Sequence, residues 1–199
     1  MTRVWVVMRA ASAGFTVVDL LIALTLAVLV SALAVPLTAH AASVAQGRHA
    51  AALVAGHVRL ARLQAVATRK ATAVVFDLVG GHWQFRLCRD ETGDGVRRAD
   101  ISAGLDVCPG DPVALHRRVS KADIAWIAGV PDPDGAAGST SPVRFGTASM
   151  TSCSPVGGCT PGTVFISAGP EQFAVRVTGA TGRTRIMRYD RGTAAWPIE

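Results

Sequence analysis

Apolar and polar positions divide the chain into three differently patterned stretches. From Leu20 to Ala39 twenty consecutive residues carry no charge; as a helix this run spans roughly 30 Å, the thickness of bilayer hydrocarbon. From there to about Lys70 the sequence stays rich in Ala. Leu53, Gly56, Leu60, Leu63 and Ala67 recur at spacings of three and four, one apolar stripe of an amphipathic helix. Arg59, Arg62, Arg69 and Lys70 lie mainly on other faces, so the stripe is expected to pack on the core of the same chain. At Thr72 the pattern changes to short β-like runs broken by Gly, Pro and Asp: 72–79, 82–88, 112–119, 123–128, 142–148, 162–168, 172–178 and 182–189. Phe173, Val175 and Val177 alternate with Ala174, Arg176 and Thr178, as a half-buried strand requires. No helical pattern separates the strands, which favours antiparallel pairing over βαβ units. Residues 89–111 and 129–141 read as surface loops.

Composition narrows the class. Half of the 199 residues are hydrophobic and 17% are charged, with a net charge of +6, which excludes a disordered chain. A single long apolar run excludes a multi-span membrane protein. Four cysteines are too few for a disulfide-built miniprotein. A cleaved signal peptide is the rival to a retained anchor, with Arg3 and Arg9 as its basic region and Ala39-His40-Ala41 as the cut. The run is longer than the usual ~7–15 residues of a signal core, and Asp19 stands at its edge, where a signal peptide gains nothing from an acid. An acid opening a membrane helix is costly unless paired and so marks function; the plainer role is to help the helix N-terminus.

The residues around that acid, Gly14-Phe15-Thr16-Val17-Val18-Asp19-Leu20-Leu21-Ile22-Ala23-Leu24, resemble the N-terminal signature of type IV pilins and type II secretion pseudopilins. The resemblance implies a leader over residues 1–14, cleavage by a prepilin peptidase between Gly14 and Phe15, N-methylation of Phe15, and an assembly role for Asp19 opposite the terminal amine of a neighbouring subunit. The family almost always has Glu where Asp19 stands. Pro36 falls where pilins often carry a proline that lets the helix bend or melt on assembly. The passage from His57 to Lys70 into Thr72–Asp77, and later Gly162–Ser167, Phe173–Val177 and Gly182-Arg183-Thr184-Arg185, are similar to the GspH/FimT branch. The expected fold is α+β: a helix of about 50 residues, or about 80 Å, with residues 15–39 in the membrane and 40–71 amphipathic, packed on an antiparallel β-sheet head over 72–199. The basic leader agrees with a cytoplasmic N-terminus and a head in the periplasm. The implied partners are other pilins, the prepilin peptidase and an inner-membrane assembly platform, with no small-molecule substrate.

Three constellations carry candidate chemistry. In FimT-type proteins the element matching Arg183 and Arg185 contacts DNA, with Arg176 and Arg188 nearby here; the arginines would act by neutralising phosphate, and a solvated strand face is the alternative. The loop 90–101 resembles a calcium loop, with Asp90, Asp94 and Gly95 at its first, fifth and sixth places. Thr92 replaces an expected acid or amide, Asp100 closes one residue early, and Arg97 and Arg98 repel a cation, so a Gly-rich acidic turn is the competing reading. Four cysteines allow three pairings. In an oxidising periplasm Cys88–Cys108 and Cys153–Cys159 are the expected disulfides, against free buried thiols. No C-x-x-C with nearby His suggests zinc. The five histidines, 40, 49, 57, 82 and 116, form no H-E-x-x-H motif. His82 reads as a strand-edge residue, and no arrangement points to an enzyme.

Overall fold

The computed structural model describes residues 16–135 and 141–199. Gly14 and Phe15 lie outside them. Helix α1 runs from Val17 to Thr68, 52 residues, and continues through Pro36. It ends where Arg69 takes the left-handed conformation, φ 56°, a common helix stop. The chain divides into two compact units, Met1–His40 and Ala41–Glu199. In the first, α1 is long and apolar enough to cross a membrane and none of its apolar window is buried.

In the second unit, α1 packs on two antiparallel sheets. One has the order β3-β2-β1-β6, from Val113–Ala114, His82–Arg89, Thr72–Val79 and Met150–Cys153. The other has the order β4-β7-β8-β9, from Ala122–Asp123, Gly162–Ala168, Glu171–Val177 and Thr184–Arg188, with β5 (Val143–Arg144) also pairing β7. Two short helices interrupt the loops, α2 at Arg98–Ser102 and α3 at Leu115–Arg118. The α+β class expected from the sequence is the observed one.

The packing face of α1 differs from the expected stripe, of which Leu53 packs against the core, half-buried. Ala50, Ala51, Val54, Ala55, Val58, Ala61 and Ala65 are fully buried, whereas Leu60, Leu63 and Val66 are 42%, 66% and 49% exposed, and Gly56 and Ala67 are exposed too. The reason is volume. The sheets supply bulk through Phe76, Phe85 and Phe173, joined by Phe145 just after β5, and a close-packed interior then has room only for small side chains opposite them. Gly47 marks the nearest approach: a Cβ there would stand 2.1 Å from the Phe173 ring.

Strands β1, β7 and β8 are buried on both faces, which explains their near-continuous apolar runs. Val74 and Phe76 face the helix-centred core. Ala73 and Val75 pack under Cys88 and Val96. Ala174 is buried beside Phe165, Met187, Trp126 and Trp196, so β8 is not the half-buried strand its alternation suggested. Segments 112–119 and 142–148 hold only two strand residues each, and 123–128 only Asp123, the end of β4. In 123–128, the buried Gln172 side chain replaces a strand partner: its amide donates to Ala125 O (3.1 Å) and accepts from Ile127 N–H (2.6 Å). Strand β6 was not anticipated. Both disulfides, Cys88–Cys108 and Cys153–Cys159, are formed.

The two helical glycines test this packing with opposite signs. Gly47→Ala is expected to lower stability by about 1–3 kcal/mol through overpacking against Phe173. Gly56→Ala, whose Cβ would meet nothing within 4 Å, is expected to raise it by up to about 1 kcal/mol through helix propensity. Denaturant unfolding of the full chain in detergent micelles reads both.

Candidate functional site

The start of α1 is closed by its own side chains. Thr16 O accepts the first intrahelical bond from Leu20 N–H (3.2 Å). Thr16 Oγ1 accepts from Asp19 N–H (3.2 Å), and Asp19 Oδ2 accepts from both Thr16 N–H (3.1 Å) and the Thr16 hydroxyl (2.7 Å). This is a reciprocal capping box, satisfying amide donors that a helix leaves open. Thr16 is the residue missed at sequence level, although Thr-x-x-Asp before an apolar run is its signature.

The Asp90 loop spends the carboxylates of Asp90 and Asp94 internally. Asp90, 4% exposed, accepts from Gly93 N–H (2.7 Å), Gly95 N–H (2.9 Å) and the Thr92 hydroxyl (3.1 Å). Asp94 pairs with Arg97 (2.5 Å) and accepts from Thr92. Asp100 lies in α2. Asp106, also buried, accepts from Glu91 N–H (3.1 Å) and Arg97 N–H (3.2 Å). Arg98 turns towards β1, pairing with Asp77 (2.7 Å) and donating to Phe76 O (2.6 Å). Among the described residues, Asp90, Asp94 and Asp100 do not form a metal-ligating group; the group of that kind lies elsewhere. With Cys88–Cys108 across its base, the segment is a loop braced by its own hydrogen bonds.

The C-terminal arginines separate into two kinds. Arg176 is paired with Asp134, and Arg188 with Glu199 (3.5 Å) and Glu171 (4.0 Å). Arg183 and Arg185 are exposed and make no ion pair among the described residues. Arg183 lines a cleft of about 290 Å³ with Arg59, Arg62, Gly182 and Thr184. Arg59 Nε donates to Thr184 Oγ1 (2.8 Å) and Arg62 Nε to Gly157 O (2.9 Å). Arg59 and Arg62 lie off the predicted apolar stripe, and their spacing of three puts them on one side of α1; only the fold brings Arg183 to them.

No family model, curated protein or solved structure matches the chain.

For Asp90, burial pushes the carboxyl up, and hydrogen bonds from Gly93, Gly95 and Thr92 outweigh it, leaving the group below its ordinary value of 3.8. A depressed folded value stabilises above the unfolded one and ceases to as pH falls through the folded one. Asp90→Asn is therefore expected to cost about 1–3 kcal/mol near neutral pH, with the gap from wild type closing as pH drops below 3.8. Unfolding curves from pH 7 to 2 check it.

Proposed function

We propose that this chain is a minor pilin or pseudopilin of the GspH/FimT type. It would be a structural subunit of a type II secretion pseudopilus or a type IV pilus, held in the inner membrane by α1 with its head in the periplasm. The observation that carries the reading is the two-sided helix. One face of α1 is Ala and Val and is consumed by the sheets, while Leu60, Leu63 and Val66 stay exposed on the other. Apolar surface at helical spacing is what packing against further helices requires. The apolar run of residues 20–39 supports an anchor that precedes assembly.

The capping box adds a chemical support. Cleavage between Gly14 and Phe15 would create an ammonium one residue from the Thr16 amide that Asp19 already holds. A carboxylate at that place is set to receive positive charge, from its own terminus or a neighbour's. Asp in place of Glu shortens the reach, which favours partners close to its own helix start.

The arginine cleft supports a second reading, a DNA-binding minor pilin of a transformation machine. Arg59, Arg62 and Arg183 meet at one opening, and Arg185 stands beside it in sequence. Such a surface suits phosphate and is indifferent to base sequence.

Mass spectrometry of the subunit purified from its native membrane tests the first reading. The expected mature chain lacks residues 1–14 and begins at singly methylated Phe15; loss of about 40 residues would instead identify a cleaved signal peptide. The second is tested by fluorescence anisotropy with DNA. Arg183→Gln/Arg185→Gln is expected to weaken binding and reduce its salt slope by about two, and equal binding by the variant would remove the DNA reading.

A further inference from the structure

A different part of the head joins three ligand-type side chains from segments far apart in sequence. The β1–β2 hairpin turns on Gly80 and Gly81, φ 60° and 83°, the positive pair that a two-residue hairpin demands. That turn sets His82 as the first residue of β2, opposite Val79. On the other side of β2, Phe85 pairs Val113 and Gln84 pairs Ala114. Continuing that register by two residues brings His116, in α3, opposite His82, and the two imidazole centroids are 4.0 Å apart. The chain then passes from α3 into β4 of the second sheet, where Asp123 Oδ2 lies 2.6 Å from His82 Nδ1. Each of the three offers one ligand atom, and these atoms lie within 4.8 Å of one another.

We propose that His82, His116 and Asp123 form a binding site for a transition-metal dication of the zinc class. Two imidazoles and a carboxylate are a donor set suited to Zn²⁺, with a fourth place left for water. Bonds of about 2.0–2.1 Å to nitrogen require the ligand atoms to draw together around the ion from their present spread, and His82, half exposed at a hairpin tip, is free to do so. His116 Nδ1 is sealed from solvent without a hydrogen-bond partner, a cost that coordination or a shift on binding would relieve. Hard cations are disfavoured: Ca²⁺ takes six to eight oxygens, and Arg117, Arg118 and Lys121 share the same short segment, so affinity must come from nitrogen bonding rather than from net negative charge.

The site bridges β2 of one sheet and β4 of the other. A bound ion would therefore staple the two sheets, which neither disulfide joins at this end of β2, and its exposure makes it exchangeable. This inference is independent of the assembly reading.

The test is calorimetric titration of the chelator-stripped full chain in detergent with Zn²⁺, paired with thermal melting. One ion per chain and a raised Tm are expected. His82→Ala and Asp123→Ala should each weaken binding by about tenfold or more and abolish the Tm rise, while His40→Ala/His49→Ala retains both. His82→Ala removes an exposed side chain, and circular dichroism of the metal-free variant verifies its fold. Absence of saturable binding, full binding by His82→Ala, or equal loss in the His40/His49 variant would overturn the proposal.

Discussion

The close seating of a small-residue helix face on aromatic-bearing sheets is the constraint from which the rest of the head follows. Gly47 and the alanines from Ala50 to Ala65 let the backbone of α1 approach Phe173 and its neighbours. Since the sheets provide the volume, the helix leaves Leu60 and Leu63 outside, with Leu53 at the margin. The exposed Leu60, Leu63 and Val66 are thus a consequence of how the opposite face packs. An isolated head would gain by replacing them with polar residues; a helix that must meet other helices would not.

Both sheets need cover on their far sides as well. The 88–108 segment covers β1 and the 124–131 segment, with Trp196, covers β7 and β8. These covers carry little regular structure and are held by other means. Asp90 and Asp106 gather backbone amides, Cys88–Cys108 closes the loop, and the Gln172 side chain takes both a donor and an acceptor from the chain above it. A buried carboxylate is tolerated here because several donors converge on it.

Charge is distributed with the same economy. Arg98, Arg144, Arg176 and Arg188 are each paired with an acid, so most of the head's arginines brace loops and edges. Exposed cationic side chains with no ion pair among the described residues include Arg183 and Arg185, beside the helix arginines, and Arg117, Arg118 and Lys121 around α3.

What the sequence determined by itself is the information carried by neighbours along the chain: an uncharged run of membrane length, a long helix, strands at 72–79, 82–88, 162–168 and 172–178 to within a residue of those observed, and an acid at the start of the helix. Local periodicity and turn chemistry suffice for these. It misled where burial depends on what stands opposite. The leucine stripe was taken for the core face because apolarity records a preference for burial and says nothing of the room available, and β8 looked half exposed because the tryptophans covering it come from elsewhere in the chain. The calcium-like spacing of Asp90, Asp94 and Asp100 could not show that backbone amides and Arg97 would occupy the first two. The Arg59–Arg62–Arg183 cleft and the His82–His116–Asp123 cluster exist only through sheet register and helix docking, which bring Arg59 to Thr184, 125 positions away; no spacing along the chain encodes such a meeting, because it is decided by how the two sheets and the helix close around one shared interior.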